Sequence, residues 1–265
     1  KAYAGINDFT IGYANSTFSD PAATPPTVDA QGPNNKIAPT AVLVRWMPVV
    51  RDRWVFALSA ETPSPQIDAD NELSAKCDNW LPDWAAFAQF QWAQGQHVRL
   101  SGVVRTLSYR NLMTERNHNM AGWGVQISSV AHPLPCLTTY INASYGRGYQ
   151  SLGGDLLIGN YDLVADQAEP GRLYAPRSYG WNIGLQYNFT HGVFASVTAS
   201  QTRYCPKGAV PSDVYRRGQF YAVNLFWNMT PRMQIGAEFD LGCRQNFSGE
   251  SRWARRLGAM VQFSF

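Results

Sequence analysis

In a chain of 265 residues only 15% are Asp, Glu, Lys or Arg, whereas Phe, Trp and Tyr supply 13%, so charge is scarce and aromatic surface abundant. The formal net charge of +3 gives no sign of a nucleic-acid partner. The four cysteines are scattered without a Cys-x-x-Cys pair, which argues against a zinc or iron–sulfur site, and no apolar run reaches the roughly 18 residues a membrane helix needs.

Taken in order, the opening Lys1-Ala-Tyr-Ala-Gly is already strand-like and carries no basic and apolar leader, so we expect further strands upstream of Lys1. Residues 8–14 read as a short strand. They run into a long connection, 15–37, with Pro21, Pro25, Pro26 and Pro33 limiting its backbone, as in a loop built to hold one shape. Residues 38–47 put Val42, Val44 and Trp46 on one face and Leu43 and Arg45 on the other, and Pro48 to Asp52 read as a turn. In residues 53–61, Trp54, Phe56 and Leu58 face out while Arg53, Ser59 and Glu61 face in. A second long loop spans residues 62–80.

The alternation continues over residues 82–92, and over 97–109, where His97, Arg99, Ser101 and Arg105 share the polar face. Residues 111–120 read as a polar loop. Strands over 122–131 and 138–149 follow, joined by a tight turn at Pro133 to Cys136; Arg147 falls on the apolar face, implying a bulge, a protein-covered patch or a shifted register. Residues 151–171 form a third long loop, and strands return over 179–189, 193–204 and 216–228. The last hairpin is the clearest. Gln234, Glu238, Asp240 and Arg244 oppose Met233, Ile235, Ala237, Phe239 and Leu241, and Arg252, Arg256, Gln262 and Ser264 oppose Leu257, Val261, Phe263 and Phe265.

About twelve strands and a fragment of a thirteenth are thus predicted, all-β and antiparallel, with no helix to cover the apolar faces. Long connections on one side alternate with short turns on the other, the pattern of an outer-membrane β-barrel with long extracellular loops. Aromatics cluster near the short turns at Trp46, Trp92, Tyr187, Phe189 and Trp227, as an interfacial girdle requires. In lipid an open edge strands backbone donors and acceptors, so such a sheet must close, and the whole chain forms one barrel domain in the bacterial outer membrane, against lipid and lipopolysaccharide.

The inward face would collect Arg45, Arg53, Arg99, Arg105, Arg216, Arg244, Arg252 and Arg256 against Glu61, Glu238 and Asp240. Fixed cations in a narrow lumen favour anions, and a guanidinium fork fits carboxylates, so small anionic solutes are the expected cargo, with Arg45, Arg99 and Arg105 as contacts. The alternative is that these arginines pair with loop acids and keep the lumen rigid. Asp20 and Asp29 on the 15–37 loop either oppose the arginines across the pore or cap turns.

The stretch Asn15-Ser-Thr-Phe-Ser-Asp-Pro21, then Pro26-Thr-Val-Asp29 and Gly32-Pro33, followed by an arginine-bearing strand, resembles the hallmark segment of the DcaP-like outer-membrane porins. The later strand order, Leu152-Gly-Gly154 and the terminal Phe265 are similar too. The resemblance implies a homotrimer of sixteen-stranded barrels that imports small, often dicarboxylic, anions, with the 15–37 loop folded into the lumen as a constriction. Such a porin is not an enzyme and takes no cofactor and no metal.

Two other classes compete. An outer-membrane protease or lipase would place a site at the extracellular rim, where His118 and Glu115 lie close in sequence, yet no nucleophile, base and orienting group can be assembled and no Gly-x-Ser-x-Gly elbow occurs. A soluble β-sandwich would have to leave Trp54, Phe56 and Leu58 in water. Cys205 and Cys243 lie near strand ends on the same side, where an oxidising compartment would permit a bridge.

Overall fold

The computed structural model describes residues 1–69, 72–208 and 210–264; Phe265 lies outside the described residues. The strands are β1 (Ala2–Ile6), β2 (Phe9–Asn15), β3 (Thr40–Val50), β4 (Trp54–Glu61), β5 (Ser74–Lys76), β6 (Asp83–Ala93), β7 (Gln96–Asn111) and β8 (Arg116–Leu134) in the first half. They continue as β9 (Leu137–Arg147), β10 (Val164–Ala165), β11 (Leu173–Tyr174), β12 (Arg177–Asn188), β13 (Val193–Cys205), β14 (Tyr215–Thr230), β15 (Met233–Asn246) and β16 (Ser251–Phe263). One sheet of 14 strands runs β1-β2-β3-β4-β6-β7-β8-β9-β12-β13-β14-β15-β16, with β5 added beside β7 and β10 and β11 forming a separate hairpin. Every pairing along that path is antiparallel, so the wall is an up-and-down meander.

The period-two pattern decides which face is which. Val42, Trp54, Leu58, Leu100, Ile127, Ile183 and Val223 are exposed, while Ser59, Ser101, Gln126, Asn142, Asn182 and Asn224 are buried. A soluble sheet does the reverse. An apolar exterior of this extent is stable against acyl chains and not against water, and backbone groups paired strand to strand allow the sheet to lie in lipid. Among the described residues no helix is long and apolar enough to cross a membrane, and the strands with apolar outer faces are the elements suited to it. At the short-turn end Phe9 stacks on Trp46, and Trp54 packs against Phe56 and Phe90, forming the expected aromatic girdle.

Three local expectations are corrected. Pro48 does not sit in a turn: β3 runs through it, and the register slips between Trp46 and Val49, a bulge that tolerates the missing donor of proline. The polar stretch 111–120 is no loop either. Strands β7 and β8 stay paired out to Asn111 and Arg116, so its polarity marks a ribbon projecting beyond the bilayer, where both faces meet water. Cys205 and Cys243 are unbridged: β14 runs between their strands, and Cys243 is level with Gln201, four residues from Cys205 along β13, which places the pair beyond disulfide reach.

Arg147 keeps the register of β9 and is exposed on the outer face at the long-connection end. An arginine facing lipid costs about 2–4 kcal/mol at mid-membrane but about 0–1 kcal/mol at the interface, so its parity needs no bulge.

Candidate permeation path

The connection from β2 to β3 crosses the concave side of the wall. It starts from Asn15, touches β4, β7 and β8, reaches β14, β15 and β16 at Pro26 to Asp29, and comes back along β13, β12 and β9 at Asn34 and Asn35 before entering β3. A single loop can meet both β4 and β16 only if the sheet curls around it, so the loop lies in the lumen of a barrel wall. Small wall residues make the track: at Gly184 an added Cβ would collide with Pro25, and at Gly180 with Asn35.

The loop is stapled leg by leg. In the first leg Asp20 is 1% exposed; its Oδ2 meets His97 Nε2 at 2.8 Å and accepts from Ser128 Oγ at 2.6 Å. Arg99 donates to the Ser19 carbonyl at 3.0 Å and to Gln89, approaches Asp20 Oδ1 at 3.7 Å, and lies over the Phe87 ring at 4.2 Å. Arg45 donates to Thr17 Oγ1 at 2.8 Å and to the Asn15 carbonyl, while Glu61 accepts the Thr17 N–H at 2.8 Å.

At the tip, Glu238 accepts the N–H groups of Val28 and Asp29 at 2.8 and 2.7 Å, and Asn224 at 2.9 Å. Arg256 pairs with Asp240 at 2.9 Å and reaches Asp29 of the loop. The return leg rests on amides and hydroxyls: Asn34 N–H donates to Ser200 at 2.9 Å, and Ser144 donates to Asn35 at 2.8 Å.

The connection from β9 to β12 covers the loop from above. Gly154 and Asp155 donate their N–H groups to the carbonyls of Lys36 and Asn34 at 2.8 and 2.9 Å. This cover is locked by Arg105, which is 1% exposed and donates to Asp83 at 2.9 Å, Asp162 at 3.1 Å and Ser151 at 2.9 Å. Beneath it Ile67, Leu107, Tyr109, Leu163 and Leu173 form an apolar cluster that joins the second and third long connections.

Most of the charged residues expected to line the pore therefore hold the loop and its cover in place. Arg105, Glu61, Glu238, Asp240 and Asp20 are buried with protein partners, and Asp20 does not face a passing solute. Arg45 and Arg99 are committed to the loop. Two expected residues lie elsewhere: Arg53 is exposed in the short turn between β3 and β4, and Arg216 is the extra residue of a bulge at the start of β14, 5.8 Å from the Phe247 ring at the opposite rim. His118 is exposed on the ribbon, stacked on Tyr109. Cationic side chains keep solvent exposure on the inner face. Arg244 and Arg252 sit directly opposite each other on the inner face of the last hairpin, and Arg256 is half-exposed beside them. Lys36 lies on the loop at the edge of a cavity of about 520 Å³ that Gln31, Thr40, Gly153 and Asp155 also line. Lys36 carried no sequence signal, because its loop position is fixed by tertiary contacts alone.

Asp155 makes the cover sensitive to pH. Burial pushes its carboxyl up to about 6, against the opposing effects of the Tyr215 hydroxyl at 3.0 Å and of Arg244. A carboxyl raised in the folded state gives stability that is full below pH ~4 and is lost as pH rises through ~6. Asp155→Asn is therefore expected to flatten the urea-unfolding midpoint between pH 4 and 7 and to add about 2–3 kcal/mol at neutral pH. A variant that still tracks the wild-type pH profile would sink this assignment.

In a comparison of folds, the outer-membrane channel DcaP of Acinetobacter baumannii matches with a TM-score of 0.83 over 99% of this chain and 73% of that one, at 18% identity. The chain has the DcaP channel fold. At this identity the match carries the architecture, and it agrees with the resemblance drawn from residues 15–33. The anion-selective porin from Comamonas acidovorans matches with a TM-score of 0.60 at 8% identity, over 96% of this chain and 73% of that one. A loop-deletion form of OmpT, an outer-membrane protein of Vibrio cholerae, also gives 0.60 at 9% identity, over 96% and 74% of the two chains. No protein-family model and no curated protein sequence matches. The DcaP-like fold is thus a fold of outer-membrane channels, recovered here with little sequence in common.

Proposed function

We propose that this chain forms the wall and constriction of an outer-membrane porin for passive entry of small anionic solutes, carboxylates and dicarboxylates foremost. One observation carries the proposal: the acids of the loop and wall are occupied by protein donors, Arg256 among them, whereas Arg244 and Arg252 are exposed on the inner face and make no ion pair among the described residues. Like charges set directly across a strand pair repel, and a transient anion between Arg244 and Arg252 relieves that repulsion. Two guanidinium forks side by side suit a solute with two carboxylates. The fold shared with DcaP and the anion selectivity of the Comamonas porin support the same reading. The polypeptide then works without catalysis, as a homotrimer in contact with outer-membrane lipid and lipopolysaccharide, the oligomeric state coming from the family resemblance.

The test is reversal potential across a planar bilayer holding the full-length protein under a potassium chloride gradient. Chloride preference, reduced current on adding a small dicarboxylate, and a shift of about tenfold toward potassium in Arg244→Glu/Arg252→Glu are expected. Cation selectivity in the wild type would end the anion mechanism.

A further inference from the structure

The charged residue that broke the apolar pattern, Arg147, is not alone. It sits directly opposite Arg177 of β12, and on the next strand pair Arg203 of β13 sits directly opposite Arg217 of β14. Tyr179 pairs with Arg203 one pleat below the Arg177 and Cys205 pair, so four neighbouring strands carry one continuous arginine band. All four point away from the lumen, at the long-connection end, on the face that carries exposed Tyr145 and Tyr221 below them. The outward residues that border the band, Trp123, Gln201, Gln219 and Gln245, are uncharged. Among the described residues no carboxylate lies within ion-pair distance of any of the four; Arg203 makes one long hydrogen bond, 3.4 Å, to the Tyr179 hydroxyl.

Like charges directly opposite each other on two strand pairs oppose strand pairing unless an anion lies over them. We propose that this band binds the phosphate groups of a phosphorylated lipid in the leaflet on the long-connection side. A phosphomonoester carries nearly two charges and three acceptor oxygens, which guanidinium forks engage side by side. The tyrosines place the band at headgroup depth. Its width, three strand spacings or about 14 Å, exceeds one inorganic phosphate and suits a lipid headgroup, or several, against the wall. A second copy of this chain brought face to face by a two-fold axis would set arginine against arginine. The inference rests on the outer face being a membrane surface, and it does not depend on what the lumen conducts.

The full-length protein, refolded in neutral detergent and checked by bilayer conductance, would be mixed with phosphatidic acid and phosphatidylcholine, and retained lipid counted by native mass spectrometry. Preferential retention of phosphatidic acid is expected, weakened about fivefold for each arginine removed in Arg147→Gln/Arg177→Gln and in Arg203→Gln/Arg217→Gln. Lysine substitutions at the same positions would retain most of the preference and show that charge loss, not misfolding, is responsible. Equal retention of both lipids, unchanged preference in both glutamine variants, or cross-linking of Arg177→Cys between subunits would overturn the proposal. Conductance that fails while the lipid preference persists would remove the porin function and leave the lipid site standing.

Discussion

Arg105→Met is expected to cost about 3–5 kcal/mol, the penalty of leaving two buried carboxylates without their shared cation. The methionine stem keeps most of the packing, so the loss isolates the charge. Asp83 belongs to β6 and Asp162 to the connection from β9 to β12, so removing the guanidinium unpins the cover over the lumen from the wall. The expected signature is a lowered urea midpoint together with new protease cleavage between residues 148 and 176. Arg105→Lys should recover part of it, since an ammonium can reach one carboxylate but lacks the fork that spans both. An Arg105→Met protein that is as stable and as protease-resistant as the wild type would show that the triad contributes nothing.

The second large effect is expected from Asp20→Ala. The substitution removes the acceptor shared by His97 and Ser128 and the charge nearest Arg99, which costs about 2–5 kcal/mol for a buried charged partner. The barrel itself should survive, because the wall strands keep their pairing. The first leg of the lumen loop should not stay seated, so single-channel conductance should rise and the open-channel current become noisier. Asp20→Asn would retain the hydrogen bonds without the charge and fall between the two. A quiet trace at wild-type conductance would mean that the proline-limited backbone alone holds the loop.

Strand parity was legible because it is a local property. Trp54, Phe56 and Leu58 on one side and Ser59 and Glu61 on the other declare a wall with an apolar exterior, and thirteen strands in meander order follow from turns that can be read one at a time. The function of each inward charge was not legible. Arg105 and Arg256 occupy equivalent positions in the alternation, yet one is buried between two aspartates and the other half-open to the lumen, and only the path of the loops tells them apart. Polarity also misled at residues 111–120, where a ribbon in water on both faces has the composition of a loop. Arg53 and Arg216 had the right parity and lay just past the ends of regular pairing, which alternation cannot detect.

The loop tip has a consequence for how the chain reaches its native state. Glu238 holds the N–H groups of Val28 and Asp29 across separations of 210 and 209 residues, and Arg256 lies still further along the chain. A segment near residue 28 thus waits for partners more than 200 residues later in the chain. Until the final hairpin arrives, the tip has backbone donors with no acceptor, and contacts of such long range form late. Seating the loop tip and adding the β15–β16 hairpin are then one cooperative event, and a wall without that hairpin leaves the tip unanchored.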